Sequence, residues 1–131
     1  MQVKIDTKEK FHVITPIEPV LSATMTDEIK DLLRTFIKQD VKNVVLDMSN
    51  IDQLDSSAAE QLLLIQKEFY EHSASFVTCA YKENITTILS DHELLELLNV
   101  APTVSEGADI VQMEEIEREL MDGDAFEEEK G

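Results

Sequence analysis

The sequence predicts an α/β domain: a mixed, mostly parallel sheet entered through an N-terminal β-hairpin, with about four helices packed against it. Three observations carry this expectation. Short segments rich in β-branched residues alternate with segments whose apolar residues recur at helical spacing. One strand segment, Asn43-Val44-Val45-Leu46-Asp47-Met48, is apolar nearly throughout, as a strand covered on both faces is. The first two strand segments are separated only by the turn-like Asp6-Thr7-Lys8-Glu9, so they read as hairpin partners.

The opening strand alternates, with Val3 and Ile5 apolar between Gln2, Lys4 and Asp6. Phe11-His12-Val13-Ile14-Thr15-Pro16 follows as its partner, and Pro16 and Pro19 bracket its exit, where they exclude a central ladder position. Met25, Ile29, Leu32 and Phe36 recur at spacings of 4, 3 and 4, the stripe of a first amphipathic helix. Asp27 and Glu28 stand near its positive end and Lys38 near its negative end. After the strand 43–48, a second helix carries Ala58, Leu62, Ile65 and Phe69 on one face. Ser75-Phe76-Val77-Thr78-Cys79-Ala80 is the next strand. Ile85, Ile88 and Leu89 mark a short helix, and Leu94, Leu95, Leu97 and Leu98 continue a helical or turn-like stretch. Asn99-Val100-Ala101-Pro102-Thr103-Val104 supplies an edge strand. The last helix shows Ile110, Met113, Ile116 and Leu120 as its stripe, with Ser105 as N-cap and Glu106 in the first turn. Beyond Met121 the composition turns acidic, which divides the chain into a domain over 1–121 and an expected disordered acidic tail over 122–131.

Composition narrows the function. The 131 residues include 28 Asp+Glu against 11 Lys+Arg, a formal net charge of −17. Nucleic acid and anionic membranes are therefore poor partners, since both demand Lys and Arg, and protein partners should be basic where they touch the chain. Cys79 is the single cysteine, which fits a reducing, cytoplasmic setting without disulfides. No apolar run approaches the roughly 20 residues of a membrane span, and no apolar h-region follows Lys4.

The catalytic inventory is thin. His12, His72 and His92 lie far apart without metal-ligand spacing and read as surface or strand-edge histidines. Cys79 sits mid-strand, as a buried inert thiol does. The three glycines, Gly107, Gly123 and Gly131, build no phosphate-cradling loop. The residues imply no catalytic centre, no metal and no cofactor.

One constellation remains. The strand ending at Met48 leads through Ser49-Asn50-Ile51-Asp52-Gln53-Leu54 to Asp55-Ser56-Ser57, where the second helix begins. In open α/β sheets, sites collect beyond the carboxyl ends of strands, and helix N-termini there offer free N–H groups. A hydroxyl at that place can carry a phosphate with little local penalty. Ser57-Ala58-Ala59-Glu60 also matches the capping box S-x-x-E, so Ser57 is equally a candidate cap. The two readings coexist if Ser57 caps while Ser56 faces solvent.

The stretch from Asn43 to Ser57 resembles the signature of STAS domains, the anti-sigma factor antagonist family. There an apolar strand leads into Asp-Ser-Ser or Asp-Ser-Thr at a helix start. The element order over about 1–120 is similar too. The resemblance implies a non-enzymatic bacterial switch in transcription control. In such proteins the serine after the Asp is phosphorylated by a serine kinase that doubles as an anti-sigma factor, and a PP2C-type phosphatase resets it. Carried over by motif position, Ser56 is the phosphorylation site, and Asp55, Ser56, Ser57 and Glu60 form the partner-binding patch. The chain departs from the family in the acidic tail, which is extra, and in two motif positions. Ser57-Ala58-Ala59-Glu60 replaces the usual Ser-Gly-Leu-Gly, and Pro16-Ile17-Glu18-Pro19 replaces Gly-Glu-Leu-Asp. Two alternatives stand beside this reading. One is a STAS-type scaffold or regulatory subunit that is not phosphorylated. The other is a receiver-like domain with Asp47 as phosphoacceptor, which would need an acidic pair after the first strand.

Overall fold

The computed structural model describes residues 2–130, with side chains through Met121; the expected acidic tail over 122–131 lies outside the described side chains. The chain runs β1 (Val3–Thr7), β2 (Phe11–Pro16), β3 (Val20–Leu21), α1 (Ala23–Ile37), β4 (Asn43–Asp47), β5 (Gln53–Leu54), α2 (Ser56–Glu71), β6 (Phe76–Cys79), α3 (Glu83–Asp91), β7 (Val100–Ala101) and α4 (Val104–Lys130). The mixed α/β architecture expected from the sequence is present. Among the described residues the main sheet has the order β1-β2-β4-β6-β7. The β1–β2 pair is antiparallel, and β2–β4, β4–β6 and β6–β7 are parallel. A receiver-like course would need β1 to feed a helix and a parallel neighbour; the hairpin removes it.

Pro16 shows how the sheet accommodates proline. It pairs with Val3 at the end of β2, while β4 pairs β2 only over Phe11 to Ile14. The missing N–H therefore breaks no bond to β4.

Strand alternation divides the sheet between two cores. Ile14, Val44, Leu46 and Phe76 face α1, α2 and α3, where Ile29, Leu33, Leu62, Ile65, Phe69, Ile85 and Leu89 close over them. Val45, Val77, Cys79 and Ala101 face the other way, against Val111 of α4. Gly107 permits this second contact, since a Cβ there would stand 3.1 Å from Val45 Cγ1. Without that atom α4 lies on the sheet without displacing the Val45 side chain.

The expected stripes met different fates. Helix α2 buries Ala58, Leu62, Ile65 and Phe69 as the periodicity predicts. Helix α1 buries Thr26, Ile29, Leu33, Phe36 and Ile37, so its inward face is turned slightly from the expected one, and Met25 and Leu32 lie at its margin. Helix α4 is a correction. Met113, Ile116 and Leu120 are exposed, and only Ile110 of the expected stripe packs partly against the core. Its inward face is Val104, Gly107, Val111 and, further along, Glu114, Glu115 and Arg118.

His12 is a second correction. It is buried rather than at the surface, with its ring 4.2 Å from that of Phe36. Its Nε2–H donates to the Val41 carbonyl at 2.9 Å and Nδ1 pairs with the Thr7 hydroxyl at 2.9 Å. Nearby hydrogen-bond partners for both ring nitrogens are what make that burial tolerable.

Candidate functional site

The small parallel pair β3–β5, which two-residue strands hide from any periodicity, sets the position of the α2 start. Val20 pairs with Gln53 and Leu21 with Leu54. Asp52 N–H donates to the Pro19 carbonyl at 2.7 Å, and Asp55 N–H to the Leu21 carbonyl at 3.2 Å. The chain is thereby held extended up to Asp55, which has φ −72° and ψ 139° and is the N-cap of α2. Ser22, next after Leu21, caps α1 by accepting from Met25 N–H at 3.3 Å. The starts of α1 and α2 are thus tied side by side, beyond the carboxyl end of β4, where α/β sheets place their sites.

This frame corrects the capping-box expectation. Ser56 is the first residue of α2, Ser57 the second and Glu60 the fifth, so Ser57 is not the cap. Nor does the Asp55 side chain make a capping bond. The first backbone bond of the helix runs from Ala59 N–H to the Asp55 carbonyl at 3.0 Å. The N–H groups of Ser56 and Ser57 precede it and have no carbonyl partner within the helix.

Exposure sorts the four candidate residues. Asp55, Ser57 and Glu60 are exposed, and Ser56 is half-buried. Ala58 and Ala59 are fully buried beneath them, so the small residues that replace the familiar Gly-Leu pattern serve the core while the hydroxyls stay above it. The structure brings all four onto one helix start.

Two residues around the site escaped the sequence. Lys82, the N-cap of α3, forms an ion pair with Asp52. Asn84 donates its amide to the Asp52 carbonyl at 2.8 Å. Together they brace the loop before α2 against α3. Only the position of Lys82, just after a predicted strand, could have flagged them. Asp47, at the end of β4, accepts from Ser49 N–H at 3.0 Å and from the Thr15 hydroxyl at 3.5 Å. Burial pushes the neighbouring Cys79 thiol up to about 12, with the Asp47 charge adding to the shift, so Cys79 is an inert core thiol.

The surface at Asp55–Ser57 is a helix start with Asp55 and Ser57 exposed. The concavity of about 500 Å³ lined by Ser90, Glu93, Leu95, Glu96 and Leu97 lies beyond the other end of α3. Among the described residues no group of three or more His, Cys, Asp or Glu side chains could hold a metal ion, and no helix is long and apolar enough to cross a membrane. Chemically, the site offers two hydroxyls, open N–H groups and a negative surround, which suits contact with a protein.

The STAS domain family model matches residues 2–107. Solved structures of similar fold have low identity. An anti-sigma factor antagonist candidate from Thermotoga maritima is 17% identical with a TM-score of 0.72, over 84% of this chain and 94% of that one. The Moorella thermoacetica protein RsbS, in a Ser-to-Glu variant, is 20% identical with a TM-score of 0.70, over 86% and 96%. The phosphorylated form of the Bacillus cell fate determinant SpoIIAA is 16% identical with a TM-score of 0.61, over 84% and 99%.

Proposed function

We propose a function from the premise that this chain belongs to the STAS domain family: it is a non-enzymatic switch of the anti-sigma factor antagonist kind. It binds a serine kinase that is also an anti-sigma factor, and phosphorylation of Ser56 releases it. A PP2C-type phosphatase returns it to the binding form. The setting is the cytoplasm of a bacterium, and the output is transcription.

One observation carries the reading. The Ser56 and Ser57 hydroxyls stand at the first turn of α2, after the Asp55 cap, beside backbone N–H groups that no helical carbonyl satisfies. A phosphate adds about −1.5 to −2 charges. The helix end offsets that charge locally, so the fold persists. The interface does not, because Asp55 and Glu60 already make the patch negative and a dianion blocks close packing.

Incubation with ATP and serine kinases of the anti-sigma type, read by intact mass and fragment mapping, tests this. One phosphate on Ser56, absent from Ser56→Ala, is the expected result. Ser56→Asp should weaken kinase binding and Ser56→Ala should preserve it. Equal binding by wild type and Ser56→Asp sinks the switch. That outcome favours the second reading, a STAS scaffold or regulatory subunit without phosphorylation, which draws support from the half-burial of Ser56.

A further inference from the structure

Helix α4 carries two apolar faces. The first, Val104, Gly107 and Val111, lies on the sheet. The second, opposite it, is Met113, Ile116 and Leu120, which are 60%, 48% and 60% exposed; Met121 beside them is 72% exposed. Scattered apolar residues on a surface are ordinary, but residues at i, i+3 and i+7 of one helix form a continuous stripe.

The stripe cannot turn inward. Arg118 donates to the Ser75 hydroxyl at 3.1 Å and to Asn43 Oδ1 at 3.4 Å. Glu115 accepts from the Asn43 amide at 3.3 Å, and Glu114 accepts from the Tyr70 hydroxyl at 2.5 Å and the Asn99 amide at 3.1 Å. Rolling α4 to bury Ile116 would break this set. The polar inner face therefore holds the apolar outer face in water.

Along α4 itself the rim of the stripe is acidic, and the nearby Lys8 and Lys10 of the β1–β2 turn lie off one flank of it, beside Ala108 and Gln112. Asp109, Glu117 and Glu119 are exposed around it. Arg118, the basic residue between 104 and 121, is committed to Ser75 and Asn43 on the inner side. A second copy would set these acids against acids, which argues against self-association. A basic-edged apolar surface fits instead. We propose that the outer face of α4 is a second docking surface, for an amphipathic helix of another protein whose apolar stripe is edged by Lys or Arg. It lies on the opposite side of the sheet from the α2 start, so both surfaces can be occupied at once.

The test uses the full chain and three synthetic helical peptides: a Leu stripe flanked by Lys, the same stripe flanked by Glu, and a Ser stripe flanked by Lys. Fluorescence anisotropy should show binding of the Leu/Lys peptide alone, weakening as salt rises. Met113→Ser/Ile116→Ser/Leu120→Ser should lower its affinity by about tenfold or more, as loss of anchoring side chains does. Ser56→Ala should leave it unchanged. Glu117→Lys/Glu119→Lys, which leaves the stripe intact, should shift preference toward the Leu/Glu peptide and keeps the test decisive if the triple variant folds poorly. The proposal is overturned if the Leu/Lys peptide does not bind, or if the Ser/Lys peptide binds equally well. It is also overturned if sedimentation finds a dimer that the triple substitution dissociates, since a second copy then owns the face.

Discussion

Helix α2 turns Ala58, Leu62, Ile65 and Phe69 into the larger core; helix α4 turns Met113, Ile116 and Leu120 to solvent and rests on Val104, Gly107 and Val111. Both stripes have helical periodicity. Periodicity reports that a helix has an apolar face, but the neighbours decide what that face meets. Around α2 the neighbours are α1, α3 and the strand side chains Leu46 and Phe76, which leave an apolar slot. Around α4 they are a sheet face of small and β-branched residues and, further along, Asn43, Ser75 and Asn99, which select the polar side of the helix. A buried stripe holds the fold together, whereas an exposed one is available to a partner.

The same substitution at both sites gives the largest contrast. Leu62 is fully buried and Leu120 exposed. Leu62→Ala should cost about 2–5 kcal/mol, from lost transfer energy and the cavity left behind. Leu120→Ala should stay within about 0.5 kcal/mol, as surface changes do. Urea denaturation of both variants measures the difference. Similar losses at the two positions would mean that Leu120 packs inside and the contrast between the helices is false.

Gly107 sharpens the comparison from the other side, because it shows where α4 does press on the core. A Cβ at Gly107 already meets Val45 Cγ1 at 3.1 Å and Val77 Cγ1 at 3.6 Å, so Gly107→Val drives two further methyl groups into the sheet face. The overpacking should cost about 1–3 kcal/mol, read as a lower denaturation midpoint. A neutral outcome would show that α4 can lift off the sheet freely.

Much of the architecture was legible. The hairpin, the doubly covered strand β4 and the stripe of α2 all follow from local pattern, because each segment's neighbours agree with its own preference. The illegible parts depend on distant partners or on unusual backbone. Strands β3 and β5 are two residues each and exist because Leu21 meets Leu54 across more than thirty residues. The ends of α2 and α3 carry no glycine signal, since Ser73 and Glu93 take the left-handed position, with φ of 57° and 59°. The Ala74 N–H to Phe69 and Leu94 N–H to Leu89 bonds, at 2.9 and 2.8 Å, close those helix ends without it. At the site, the sequence located Asp55-Ser56-Ser57 correctly at a helix start. It misjudged the frame by two residues, as S-x-x-E is local and the β3–β5 pairing is not.

That frame can be tested on Ser57, where the smallest effect is expected. A cap serine replaced by alanine loses its bond to the first-turn N–H groups, which costs about 1 kcal/mol. Ser57 is instead the exposed second residue of α2, and Asp55 occupies the cap with extended backbone held by the Leu21 carbonyl. Alanine is the better helix former, and nothing is lost from a cap. Ser57→Ala should therefore leave the unfolding free energy within about 0.5 kcal/mol of wild type, or raise it slightly. A loss near the cap value would put Ser57 at the N-cap and return Ser56 to the loop. The start of α2 would then be set by its own four residues, and the contrast with α4, whose exposed face is dictated by partners far along the chain, would become one between local and distant control.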